Sequence, residues 1–118
     1  MNSSRVTNSS NVEHGHGGLR VDHGGIYVEK LLELDLRHAS IGFAVYEPGA
    51  ATGVTGVVSE GMEFLMVLEG EVTAEIAETS YRLGVGDYVH FSKTIPHRGL
   101  NTGQVTSRAL YVNYLPSS

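Results

Sequence analysis

The chain has 118 residues and a formal charge of −5, a length that supports one small domain with a single core and no second domain. Its eight Lys and Arg are scattered singly, which excludes the basic stripe needed to neutralise a row of phosphates, so direct nucleic-acid binding is not expected. Cysteine is absent, which excludes disulfides, thiolate catalysis and sulfur-ligated zinc together; any metal would need His or carboxylate ligands.

Residues 1–24, "MNSSRVTNSSNVEHGHGGLRVDHG", are dominated by Ser, Asn, Gly and His, with too few apolar residues to offset the entropy of ordering them. They are expected to form a flexible N-terminal arm. His14 and His16, with His23 further on, invite a metal reading, set against the simpler one of histidines in a tail. The first thirty residues lack the charged start and apolar centre of a signal peptide. No stretch reaches the roughly 20 apolar residues of a membrane span. The expected location is cytoplasmic, without membrane contact.

From Gly25 onward short apolar runs alternate with Gly, Asn, Asp and Pro. "GIYVEKLLEL" and "IGFAVYEPGA" read as strands, the second ended by Pro48-Gly49. "MEFLMVLEG", "EVTAEIAE", "TSYRLGVGD", "YVHFS" and "TSRALYVNYL" continue the series. Turns are expected at Gly70, Glu78-Thr79, Gly84 to Asp87 and Asn101 to Gly103. "VEKLLELDLRH" is the one stretch that could pass for a helix, and Gly25 and Gly42 confine it. Seven or more short strands without a helix predict an all-β sandwich or small barrel over residues 25–116.

Side chains on a strand alternate between faces. Glu63, Leu65, Val67 and Glu69 therefore share one face and Phe64, Met66 and Leu68 the other. A strand apolar on both faces must be covered on both. The outer cover is either the chain's own first strands or a second copy, and a homodimer is expected.

Six residues separate Glu63 from Gly70, and Gly86-Asp87 is followed by Pro96-His97 and then Asn101. These paired motifs resemble those of the cupin superfamily, Glu-x6-Gly and, from Gly, through Pro-x-Gly to His-x3-Asn, over about residues 25–115. The resemblance implies a double-stranded β-helix, or jelly-roll barrel. "SEGMEFLMVLEGEV", "YRLGVGDYVHFSKTIPHRGLN" and "RALYVNY" resemble more narrowly the sensory cupin that follows a helix-turn-helix in bacterial regulators, where the barrel is inferred to bind a small effector. Residues 1–24 carry no helical period and no basic helix, so that DNA-binding part is not expected here.

In metal-binding cupins two histidines precede the Glu. Here Val57 and Ser59 hold those positions, leaving Glu63 and His97 as the remaining donors. Ser92 and Thr94 stand where Pro and Gly are usual, which concerns turn geometry rather than ligation. Two protein ligands seldom retain a divalent ion. No cofactor is expected; if one is bound, it is a divalent transition-metal ion on Glu63 and His97. His90 reads as a hydrogen-bonded histidine of the strand edge, and Asn101 and Gly103 as residues that fix a turn.

Three functions remain open. The first is a metal-free, small-molecule-binding sensor or carrier. The second is an isomerase, lyase, cyclase or oxygenase that uses Glu63 and His97 as an acid/base pair or partial metal site. The third is a structural domain with a closed interior. Tyr46, Tyr88 and Tyr111 join Glu63, His97, Val57 and Ser59 as pocket candidates. Polar side chains converging on an open pocket would favour the first two, and solid aliphatic packing the third.

Overall fold

The computed structural model describes residues 25–32, 39–52 and 58–116 in full, and the backbone of strand residues 5–7, 13–15, 19–23 and 33–34. All regular structure among them is extended: β1 Arg5–Thr7, β2 Glu13–Gly15, β3 Leu19–His23, β4 Ile26–Leu34, β5 Ala39–Tyr46, β6 Met62–Glu69, β7 Val72–Ile76, β8 Thr79–Leu83, β9 Tyr88–Ser92, β10 His97–Leu100 and β11 Ser107–Tyr114. β3-β4-β5-β11-β6-β9 form a six-stranded sheet, β10-β7-β8 a three-stranded sheet, and β1-β2 a separate pair. Every pairing is antiparallel. From β6 onward the chain passes from the large sheet to the small one and back, twice. This winding is the jelly-roll barrel expected from the motifs.

The core lies between the two sheets. Ile26, Ala44 and Tyr46 from β4 and β5, Leu65 and Val67 from β6, Val72 and Ala74 from β7, Leu83 from β8, and Ala109 and Tyr111 from β11 form one buried cluster. Val67 and Val72 are wholly inaccessible; burial of such a side chain contributes roughly 1.5–3 kcal/mol. Alternation along β6 holds as read for Leu65 and Val67 inside and for half-buried Phe64, Met66 and Leu68 outside. Glu69 departs from it. The β6–β11 register shifts between Arg108 and Ala109, so Glu69 pairs with Arg108 and is solvent-exposed, its carboxylate 3.9 Å from that guanidinium. A bulge rotates the strand and re-aims the residue beyond it.

The stretch with helical character, residues 28–38, contributes β4 instead. Its consecutive leucines suit a helix face, but β4 is paired on both edges, and a register shift between Lys30 and Leu32 absorbs the extra residue. Pairing on two edges overrides local propensity. β3 falls within the expected arm and pairs with β4 over five positions, so the boundary at residue 25 lies inside a hairpin. The edge of β4 presents N–H and C=O groups that the backbone of Leu19–His23 satisfies. β1 and β2 also lie in that segment; the mobility expected of the arm, and its histidine side chains, fall outside the described residues. β10 was not expected from sequence, and the β7–β8 turn falls at Ala77-Glu78, one residue early, with Ala77 at φ 55°.

Two polar anchors hold the sheets together. Gly70, where the chain leaves β6 for β7, has φ 73°, and a Cβ there would lie 2.5 Å from Ser107 Oγ. That hydroxyl donates to Glu71 O at 2.6 Å and accepts from Glu71 N at 2.9 Å. The glycine of the first motif is thus required both by its backbone angle and by the approach of Ser107. The second anchor is Asn101, 1% exposed. Its Nδ2 donates to Tyr46 O (3.0 Å) and Val105 O (2.8 Å), and its Oδ1 accepts from Gly103 N (2.9 Å). Replacement Asn101→Ala leaves these groups without their buried partner and is expected to cost roughly 1–3 kcal/mol. Urea melts should show a lower midpoint at unchanged slope; an unaltered midpoint would show that the amide carries no such role.

Candidate functional site

At one end of the barrel a polar row crosses the inner face of the large sheet. Glu63 on β6 stands opposite Phe91 on β9 and Asn113 on β11, and Asn113 stands opposite Ser40 on β5. Period-two alternation directs all four inward, because Leu65, Tyr111 and Gly42 of the next inward row share their face. The small sheet closes over them with His97 and Gly99 from β10, paired to Ile76 and Ala74 of β7.

Two adjoining pockets open here. An inner one of about 140 Å³ is lined by Tyr46, Glu63, Leu65, Ile76, Phe91 and His97 among others. A wider one of about 320 Å³ shares Tyr46, Thr52, Glu63 and Leu65 with it and adds Lys30, Ser40, Tyr111 and Asn113. The interior is therefore not packed solid with aliphatic side chains. Gly99 is part of the reason: a Cβ there would lie 2.8 Å from the Tyr46 hydroxyl, so only glycine leaves that phenol its place in the wall. Thr52 braces the same strand, its Oγ1 accepting from Gly99 N at 2.9 Å.

The electrostatics of the pocket follow from burial. Burial pushes the Glu63 carboxyl up from the ordinary glutamate value of 4.5, against the opposing pull of His97 and Lys93. Desolvation favours the neutral acid, and the influence of His97 and Lys93 only partly offsets it. Tyr46, more deeply buried, is held well above its usual range by burial first and by Glu63 second, so its phenol keeps its proton. His97 Nδ1 donates to Ile95 O at 2.9 Å, which leaves Nε2 as the lone-pair nitrogen of the neutral ring. The imidazole packs on Phe91 with centroids 5.1 Å apart.

Of the pocket candidates read from sequence, Tyr46, Glu63, His97 and Tyr111 are brought together. Two are not. Tyr88 is 59% exposed on the outer face of the large sheet, its ring 5.3 Å from Phe64, because β9 alternates Val89 and Phe91 inward. Ser59 is exposed and lines neither pocket; its backbone N–H binds Lys93 O. Val57 lies outside the described residues. His90 shares a 2.6 Å hydrogen bond with the Tyr114 hydroxyl on the outer face. Sequence reading missed Asn113, whose Oδ1 is buried with no hydrogen-bond partner; such an orphan costs about 1–3 kcal/mol. The signal was available, since Asn113 follows Tyr111 at period two. Arg98, which also lines the inner pocket, was missed as well; its Nε is 2.7 Å from Glu75 Oε1, across the β10–β7 pair.

The donor set does not fit a transition-metal site. Among the described residues no three His, Cys, Asp or Glu converge. Glu63 and His97 supply two ligands, Ser59 is turned to solvent, and catalytic sites need at least three.

The raised pKa of Glu63 has a sign that can be measured. Stability linked to its neutral form is fully present below pH 4.5 and is lost as pH rises through the higher folded value. Glu63→Gln keeps the shape without the titration. Its stability advantage over the unmodified chain is expected to be smallest below pH 4.5 and to widen as pH rises, in urea melts across that range. A gap independent of pH would contradict the buried, neutral-favouring environment.

The profile of the Cupin_2 cupin domain matches residues 42–113. No curated protein sequence matches significantly. Among solved structures, the cupin domain of an XRE family transcriptional regulator from Enterobacter cloacae aligns with TM-score 0.71 at 19% identity, over 79% of this chain and 99% of that one. A Schizosaccharomyces pombe Cnp3 cupin domain gives TM-score 0.74 at 13% identity, over 89% and 77%. A sugar phosphate isomerase of the cupin superfamily from Silicibacter pomeroyi gives 0.63 at 20%, over 78% and 60%. At these identities the likeness is one of fold. With the profile covering more than half of its length, this chain belongs to the cupin family.

Proposed function

We propose that the chain is a small-molecule-binding cupin of the sensor or carrier type, working without a metal ion. The observation that carries this reading is the open cavity between the sheets, walled by Leu65, Ile76 and Phe91 and furnished with Tyr46, Glu63, His97 and Asn113. An apolar pocket with a few convergent polar groups is the usual form of a ligand site. The similarity to a regulator's cupin domain agrees with a sensing role. The protein acts in the cytoplasm, without direct contact to nucleic acid or membrane; no described helix is long and apolar enough to cross a bilayer.

A second reading, a cupin enzyme, is favoured by one observation. Glu63, biased toward its neutral acid, and His97, with a free lone pair at Nε2 in the neutral ring, line the same inner pocket and form a potential acid and base. The isomerase among the structural relatives agrees with it. Turnover of a bound compound, abolished by both Glu63→Gln and His97→Gln, would distinguish catalysis from binding alone.

The outer face of the large sheet supports the proposal of a homodimer. Ile41, Phe43, Phe64, Met66, Leu110 and Val112 lie half-buried side by side across β5, β11 and β6, with Arg108 stacked 3.9 Å over the Phe43 ring. A continuous apolar sheet face is what a two-fold contact covers. Light scattering is expected to return twice the chain mass, and Phe64→Lys to return the monomer. A soluble monomer of the unmodified chain would overturn this.

Native mass spectrometry of protein purified from cells tests the binding reading. A small retained species is expected, absent from Ala74→Leu, whose added side chain fills the inner pocket. Metal analysis should give well under one equivalent of iron, manganese, nickel, copper or zinc. Stoichiometric metal lost on His97→Ala would overturn the metal-free reading.

A further inference from the structure

The pocket contains acceptors in want of donors. Asn113 Oδ1 is buried and unpartnered, although it sits between Glu63 and Ser40 on the polar row. His97 Nε2 is the lone-pair nitrogen of the neutral ring, because Nδ1–H is committed to Ile95 O. Glu63 lines both pockets, His97 the inner one and Asn113 the wider one. An acceptor buried without a partner is retained at a cost, and a ligand that supplies hydrogen relieves it. Hydroxyl and ammonium groups are the two candidates. Lys30 lines the wider pocket, and Glu63, the one carboxyl in either lining, is biased toward its neutral acid, so a neutral hydroxyl suits the site better than an ammonium group.

Resting on the ligand-binding reading above, we propose that the ligand is a small, uncharged polyhydroxylated compound, with one hydroxyl donating to Asn113 Oδ1 and another to His97 Nε2. Phe91 and Leu65 offer its carbon skeleton an apolar wall. The inner pocket, about 140 Å³, is close to the ~150 Å³ of an engineered cavity that takes a six-carbon ring. A ligand that reaches both His97 and Asn113 also extends into the wider pocket of about 320 Å³ that Asn113 lines, which gives room for a sugar or short polyol. Asn113 is the residue that reads the hydroxyl, and it does so at the expense of the empty barrel.

Three probes of equal heavy-atom count separate the possibilities: glycerol, which donates and is neutral; serinol, which donates and is cationic; and 1,2-dimethoxyethane, which only accepts. Titration followed by amide chemical shifts around Glu63, His97 and Asn113 should rank glycerol first, by about tenfold or more over dimethoxyethane, because a site built to pair a hydroxyl rejects the analogue without one. Erythritol should bind tighter than glycerol. Asn113→Leu and the smaller Asn113→Val should each weaken glycerol binding by about tenfold while raising the melting temperature of the empty protein, since the orphaned acceptor is gone. A purely structural asparagine would lower the melting temperature when replaced, and a fall in both variants would overturn the assignment. Equal binding of dimethoxyethane, or preference for serinol, would overturn the ligand class and leave the pocket reading standing. Shifts from no probe at any pocket residue would overturn both.

Discussion

The side-chain amide of Asn101 is the contact on which the cavity depends. It is 1% exposed and bonds three backbone groups, and its own backbone pairs with Gly49 and Ala50. The end of β5 in the large sheet is thereby tied to the end of β10 in the small one. Tyr46, Thr52 and Gly99 meet at this tie, and all three line the inner pocket. Hydrogen bonds made without competition from water hold geometry more firmly than the same bonds at a surface.

A second asparagine behaves in the opposite way. Asn113 is also buried at its oxygen, but nothing in the fold pairs with that oxygen. The barrel thus holds one asparagine whose hydrogen-bonding capacity is used in building the fold and another whose oxygen is buried unused in a residue that lines the wider pocket. Glu63 belongs with the second: burial raises its pKa, and only partial compensation comes from His97 and Lys93. A fold selected for stability alone would fill this end with aliphatic side chains. The polar row from Ser40 to Glu63 keeps the end open and chemically particular.

Much of this was legible along the chain. The alternation of Leu65 and Val67 with Phe64 and Met66 was enough to tell the inner face from the outer. The Glu63, Gly70, His97 and Asn101 spacing carried the jelly roll with it, and Ser107 supplies the physical reason for Gly70. Tyr88 was not legible, because its direction depends on β9 pairing with β6 so that Val89 meets Leu65. Glu69 was misplaced for a related reason: alternation assumes an unbroken register, and the bulge opposite Arg108 breaks it. The helical character of residues 28–38 likewise yielded to pairing on both edges of β4, a fact about its neighbours rather than itself.

The sequence by itself determined the all-β class, the inward residues of β6, the turn role of Asn101 and the family motifs, because period-two patterning and turn chemistry are properties of neighbouring residues. Only the tertiary structure decided that Tyr46 from β5, Glu63 from β6, His97 from β10 and Asn113 from β11 line two adjoining pockets, and that the oxygen of Asn113 has no partner. Those relations join strands far apart in the chain and lying in different sheets. They are set by register, by bulges and by which backbone approaches which, and no local stretch of residues encodes them.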